Sequence, residues 1–449
     1  MTEASERKEI REAPSGFGGL LRNIGPGVVV SGSVVGSGEL LVTTRMGAEV
    51  GFVFLWGVIA ACILKFFIQL ELGRQCILHD NTTIQALDSV PGPRYRASWL
   101  AWICFVGYFS VTVAVIGILG SVAGLFESVW SSISREVWAG LTFLVMSVLL
   151  YRGLYEDLEK MFSILVMAFS VIVIGSLLML QGTAYAVSGS QLASGFTFDL
   201  PPEGAYVALA VMGSVGATAV ELFMYPYWIR EKGYPSFVGP RDDSDAWQRR
   251  YRGWMRVVIA DAGVCTTIAL FITCAYYLLG ASILNTLNVL PEGYGIVQQV
   301  SLIFTESIGG WAKGVFMVGA FATLFSTLLV FASSSGRIAA DFAVQLGLSA
   351  ESGRVRLSRI LQIALPAFWL LMIVSTVDTP FMLVLLGANA NNLLLIPMAY
   401  GVLHLAMRQD SGSRMSIWME GGLILTIWAI INFTAINVHL TWIGGSGGH

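Results

Sequence analysis

The chain has 449 residues, 55% of them hydrophobic and 12% charged, with a formal net charge of −3. Soluble domains carry about 25% charged residues, so this composition excludes a soluble globular protein and leaves a polytopic, all-α membrane protein. The near-neutral balance gives no footing for nucleic acid.

Residues 1–18 read as a cytoplasmic tail carrying Arg7, Lys8 and Arg11, with no cleavable signal peptide. Eleven apolar segments follow, at roughly 25–50, 53–77, 97–126, 136–151, 160–182, 204–229, 256–283, 310–336, 358–376, 380–405 and 416–436, and each reads as a bilayer span. They are numbered helices 1 to 11 in chain order. After helix 6, Ser244 is placed to cap a short helix with Trp247, Tyr251 and Trp254 on one face and Arg249, Arg250 and Arg252 on the other. That is the pattern of an interfacial helix. Another short helix is expected around Tyr294–Thr305, and residues 437–449 form a Gly-rich tail left out of the fold.

Lys and Arg concentrate in alternate loops. Arg74, Arg94, Arg152, Arg230, Arg337, Arg354 and Arg408 fall on one side, while the other holds little beyond Arg45, Arg135 and Lys313. By the positive-inside rule the N-terminus is cytoplasmic and the C-terminus outside, in what is expected to be a prokaryotic inner membrane. Five cysteines and four histidines are scattered without metal-ligand spacing, so neither disulfides nor a zinc site is expected. No nucleophile–base pair is visible, so neither an enzyme nor a resident cofactor is expected.

Two spans are interrupted. Helix 1 carries Val34-Val35-Gly36-Ser37-Gly38-Glu39-Leu40, and helix 6, about 180 residues on, carries Ser214-Val215-Gly216-Ala217-Thr218-Ala219-Val220-Glu221-Leu222. Glycine weakens a helix, and an intramembrane carboxylate is costly unless it faces protein or water. Broken backbone at membrane depth is tolerated where it lines a cavity. Each stretch therefore reads as a break, with its Glu on the first turn of the second half-helix, where free N–H groups favour an anion. Two such breaks in corresponding halves point to a transporter built from repeats, here 19–182 (helices 1–5) and 204–407 (helices 6–10), with 416–436 as an extra helix. The plainer alternative is that both glutamates are helix-end residues.

Other polar residues lie within the spans. Lys65 in helix 2 either pairs with Glu71 or snorkels, or its ammonium balances the carboxylates or occupies a coupling-ion position. Asp261 in helix 7 is placed to line an inner vestibule. Asn389, Asn391 and Asn392 cluster in helix 10, where at least one amide should face a cavity. The Ser and Thr residues of helix 8 read as packing contacts.

Gly25-Pro26-Gly27, the run Met46-Gly47-Ala48-Glu49-Val50-Gly51-Phe52, Leu55-Trp56, Gly216-Ala217-Thr218, Ile259-Ala260-Asp261 and Tyr277-Leu278-Leu279-Gly280 together resemble the Nramp divalent-metal transporters. The resemblance implies a leucine-transporter-type fold: two inverted five-helix repeats, broken helices 1 and 6, and a cation site between the breaks. The departures fall on the chemistry. The family's metal-binding Asp and Asn align with Gly36 and Glu39, around Ser37 and Gly38. Its Met-Pro-His aligns with Val220-Glu221-Leu222, its second His near Tyr227, and its helix 3 acids near Val111 and Ala114. Ala217, whose carbonyl is a ligand in the family, is retained.

Loss of the thioether and gain of carboxylate make a harder site, suited to Mg²⁺ or Mn²⁺. The resemblance thus implies a secondary transporter of divalent cations held by Glu39, Glu221 and the Ala217 carbonyl. A proton can substitute for the metal, because two close carboxylates resist joint ionisation. Two other readings stay open. One is a carrier of an amine or amino acid, with Tyr225, Tyr227 or Trp228 lining a pocket enlarged by Gly36, Ser37 and Gly38. The other is a non-transporting sensor.

Overall fold

The computed structural model describes residues 10–23, 36–152, 155–242, 244–376, 379–408 and 416–440. Among them, nine stretches are long and apolar enough to cross a membrane, from helix 2 (Leu55–His79) to helix 11 (Ile417–Val438). Helix 4, Arg135–Tyr151, is shorter at 17 residues. The half of helix 1 before Gly36 lies outside the described residues. The outer faces of helices 4, 5 and 9 expose Leu144, Val148, Ile164, Val171, Leu371 and Val374. So broad an apolar surface belongs in lipid.

Helix 1 resumes as a π-helical turn over Gly38–Thr43 and continues as α-helix over Thr44–Val50. Helix 7 ends in a second π turn, Gly280–Leu284, which packs against Thr44–Val50 of helix 1. Helix 3 is bent, as Trp99–Val111 followed by Val113–Val129. At the joint, the Thr112 hydroxyl donates to the Phe109 carbonyl at 2.6 Å, a back-bond that competes with the helix ladder. Helices 3 and 6 both pack along helix 10, Pro380–Met407, which makes helix 10 the common wall of the central region. Helix 8, Ala312–Gln345, packs mainly on helix 9, Arg354–Thr376.

The structure departs from the sequence reading in three places. The segment capped by Ser244 is the start of helix 7, continuous over Asp245–Leu279, and not a separate interfacial helix. Its aromatic face is buried in protein: Trp247 stacks on Tyr251, and Trp254 packs against Tyr234 and Phe237. The amphipathic pattern was real, but its apolar face meets the short helix Tyr234–Val238 rather than headgroups. Second, residues 10–16, expected within the cytoplasmic tail, run against that same cap. The Arg11 N–H donates to the Phe237 carbonyl at 3.0 Å, and the Trp254 indole donates to the Arg11 carbonyl at 3.0 Å. Third, the loop after helix 2 holds a helix, Thr83–Asp88, and a two-stranded hairpin pairing Arg94–Tyr95 with Ala97–Ser98. The expected helix near 294–305 is present as two short ones, Ile296–Val300 and Leu302–Ser307.

Glu71 does not pair with Lys65. It accepts two bonds from Arg74, at 2.7 and 2.5 Å, and one from Gln75 at 2.7 Å, all buried.

The short helix Thr83–Asp88 has a structural task on helix 6. Pro226 lies inside the second half of that helix and has no N–H for the carbonyl four residues back, that of Leu222. The Thr83 hydroxyl supplies the missing donor at 3.0 Å. Thr83→Val leaves that buried carbonyl unpaired and is expected to destabilise by about 1–3 kcal/mol. Thermal unfolding in detergent checks this, with Thr83→Ser retaining wild-type stability.

Candidate functional site

Helix 6 stops at Ser214 and restarts at Ala219. The four residues between cannot continue the helix: Val215 is extended, and Gly216 takes φ +64°, a conformation that favours glycine. A severed helix leaves carbonyls unpaired at one end and N–H groups at the other. Five of these groups have an identifiable side-chain partner: the Gly213 and Val215 carbonyls and the Thr218, Ala219 and Glu221 N–H groups.

On the carbonyl side, the Lys65 ammonium donates to Val215 O at 2.5 Å and to Gly213 O at 3.3 Å. Lys65 has no exposed surface. The Asn391 amide also donates to Gly213 O, and its oxygen accepts the Ala219 N–H at 3.0 Å. One side chain of helix 10 thus ties the end of the first half-helix to the start of the second. On the N–H side, Thr218 and Glu221 form a reciprocal capping box. The Glu221 carboxylate accepts the Thr218 N–H at 2.6 Å, while the Thr218 hydroxyl accepts the Glu221 N–H.

Helix 1 repeats half of this arrangement. The Glu39 carboxylate reaches back three residues to accept the Gly36 N–H at 3.0 Å. Its other oxygen, Oε1, is buried and makes no close hydrogen bond, though the Gly216 backbone faces the carboxylate. The two breaks touch. A Cβ on Gly38 would sit 2.3 Å from the Ser214 carbonyl oxygen, so only glycine permits this approach.

Both carboxylates line one small central cavity of about 50 Å³, with Gly36, Ser37, Gly38, Ser214, Thr218, Thr327 and Asn391 supplying its polar wall. Val111 and Ala114 of helix 3 and Phe331 of helix 8 close it on the apolar side. Glu39 and Glu221 lie close enough for a charge on one to act on the other, and the Lys65 ammonium lies within the field of both. Among the described residues, no three His, Cys, Asp or Glu side chains gather around one point. An ion in this cavity would therefore meet two carboxylates and otherwise hydroxyl, amide, carbonyl or water oxygens.

The other residues singled out in the sequence lie elsewhere. Val220 faces a smaller void beside the cavity, together with Met224 and Trp228. Ala217 is buried within the break, outside the cavity lining. Asn389 reaches the Tyr206 carbonyl at 3.5 Å, and Tyr225 donates to Asp261 at 3.2 Å in a separate cluster with helix 7. Of the three helix 10 amides, Asn391 is the one at the cavity, and Asn392 bonds Thr434 of helix 11 at 2.9 Å. Thr327 was not distinguished from the packing residues of helix 8 by the sequence, and Ser214, though it opens the helix 6 break, was given no role there.

A far larger basin of about 620 Å³ opens at the Arg-rich end between helices 6, 8 and 9. Its charges are engaged with one another: Arg337 with Glu231 at 2.8 Å, Arg230 with Asp80 at 2.9 Å, and Asp341 with Tyr227 and Arg354. The smaller cavity is the candidate site because, among the described residues, intramembrane carboxylates beside interrupted backbone gather there.

Apolar outer faces, a broken membrane helix and a cavity at the break with two carboxylates on its wall define an integral membrane protein of the transporter class. Residues 27–442 match the natural resistance-associated macrophage protein-like (Nramp) family, and the chain belongs to that family. Among solved structures, it is similar to an Eremococcus coleocola manganese transporter in complex with an aromatic bis-isothiourea compound, with TM-score 0.63 and 16% identity, covering 100% of this chain and 93% of the other. It is also similar to MhsT in complex with L-phenylalanine, with TM-score 0.60 and 13% identity over 96% of this chain and 100% of the other. A third is Mhp1, a nucleobase-cation-symport-1 family transporter in a closed conformation with bromovinylhydantoin bound, with TM-score 0.55 and 14% identity over 97% and 95%. A search of curated proteins gave no match. The fold is the leucine-transporter type expected from the sequence.

Asn391→Leu removes one donor and one acceptor from the helix 6 break and leaves both buried backbone partners short of a bond. It is expected to destabilise by about 2–3 kcal/mol. Asn391→Asp keeps the acceptor and should fall between the two in melting temperature.

Proposed function

We infer that the protein is a secondary-active transporter of divalent cations whose site is built from carboxylates, with Mg²⁺ or Mn²⁺ as cargo. The observation that carries this reading is the placement of Glu39 and Glu221, one from each interrupted segment, on the wall of one small, mostly apolar cavity. Family membership supports cation transport, and a manganese transporter is among the similar structures. The donor chemistry supports the choice of ion. Carboxylate, hydroxyl, amide and water oxygens suit hard cations, and Mg²⁺ takes only one or two carboxylates while keeping several waters. A cavity needs roughly 10–15 Å³ of this kind of space per water, so about 50 Å³ suits an ion with a few waters and is too small for an amino acid.

The distribution of Lys and Arg supports an N-terminus in the cytoplasm and a C-terminus outside. The Arg-rich basin then faces the cytoplasm, and the Arg45–Glu292 pair lies at the outer end of helix 1. Helices 1–5 and 6–10 form the two repeats. A proton is the natural competitor for the cation, since it also relieves the repulsion between the carboxylates.

The test is uptake of Mg²⁺ and Mn²⁺ into proteoliposomes at a clamped membrane potential. Saturable uptake of at least one is expected. Loss of an outer partner alone costs a metal site about 10–100-fold, so Glu39→Gln, which keeps shape and removes charge, should cost more than about 100-fold. Unchanged uptake in Glu39→Gln protein that melts like wild type would overturn the assignment.

A further inference from the structure

Lys65 is the one buried side chain at the site whose position the proposed reaction leaves unexplained. Carbonyls at the C-terminal end of a half-helix, beside an intramembrane carboxylate, form the donor set with which transporters of broken-helix design hold a monovalent co-ion. Here that set exists: Gly213 O and Val215 O at the end of the first half of helix 6, close to Glu39 and Glu221. It is already filled by the Lys65 Nζ, at 3.3 and 2.5 Å.

Two further observations argue that the ammonium is fixed in this place. Lys65 lies in the middle of helix 2, fully buried, with 10 residues of helix before it and 14 after it. A lysine so deep cannot snorkel to water without distorting the helix. A nearer anionic partner is also lacking on its own helix, because Glu71 is held by Arg74 and Gln75. The charge is stabilised by carbonyl dipoles and by the two site carboxylates. Asn391 shares Gly213 O with it, so the lysine and the amide together fix the geometry of the break.

The geometry points to Lys65 as a tethered cation that stands permanently in the place of a monovalent co-ion, so that this chain works without Na⁺ or K⁺ and exposes a small-cation site when the lysine is shortened. Lys65 is thus a positioning residue for the break and a fixed counter-charge to Glu39 and Glu221. The inference rests on the reading of the chain as a transporter but not on which ion it carries.

The experiment compares wild type with Lys65→Met in choline, Na⁺, K⁺ and methylammonium chloride at equal ionic strength. Melting in detergent and divalent-cation uptake in proteoliposomes are read together. Wild type should melt and transport alike in all four salts. Lys65→Met should lose uptake and melt lower in choline, then gain several degrees and recover uptake in at least one small cation. A Lys65→Met protein recovered only when such a cation is present during solubilisation counts as the same gain. Wild-type dependence on Na⁺ or K⁺ would overturn the proposal, as would a variant that responds to no cation or cannot be recovered with any. If neither protein carries a divalent ion, the proposed function fails on its own, and cation-dependent melting of the variant still decides the role of Lys65.

Discussion

The constraint on which this structure depends is the open backbone of helix 6. Cutting a helix in a medium without water leaves N–H and C=O groups that must be satisfied by protein. The chain meets this demand with side chains drawn from three other segments. Lys65 comes from helix 2, Asn391 from helix 10 and Thr83 from the short helix after helix 2, while Gly38 of helix 1 lets the Ser214 carbonyl come close. The break is therefore not a local defect in one helix. It is the point at which the packing of the whole bundle is fixed, and the residues that fix it are polar because their partners are backbone.

The two glutamates belong to the same logic. Each reaches back three residues to a backbone N–H, Glu39 to Gly36 and Glu221 to Thr218. The plainer reading of both as helix-end residues and the functional reading as cation ligands are thus compatible. A carboxylate has two oxygens. One can terminate the half-helix and so be held at a defined angle, while the other stays available. At Glu39 that second oxygen is buried without a close hydrogen bond. A buried acceptor of this kind calls for an explanation, and the proposed cation supplies one.

How much of this was legible in the sequence follows from what kind of signal each feature leaves. Nine of the spans, the break in helix 6 and the two glutamates that reach back to backbone N–H groups were readable, because apolar length and the Gly-then-Glu pattern are local. The partners were not. Nothing in the sequence around Lys65 says that it faces carbonyls about 150 residues away, and three neighbouring amides in helix 10 gave no basis for choosing Asn391 over Asn389. The start of helix 7 was misread for the same reason. An amphipathic face announces that it will be covered, and here Tyr234, Phe237 and the backbone of Arg11 cover it where lipid headgroups were expected. Thr83 left no signal, because its value lies in a proline far along the chain.

Charge completes the argument about what the site can do. In the proposed site, a divalent ion that displaced any shared proton would meet two ionised carboxylates and one fixed ammonium, which together carry a single net negative charge. Without Lys65 the same pocket would carry two, and a divalent ion would be neutralised within it. With Lys65, a bound divalent ion leaves the site positive, so the ion is held less tightly than two carboxylates alone would hold it. A transporter needs its cargo to leave as well as enter. If Glu39 and Glu221 are the ligands, as proposed, a lysine anchored on the broken helix would weaken the hold on the ion without removing either of them, through the same contacts that keep the break in shape.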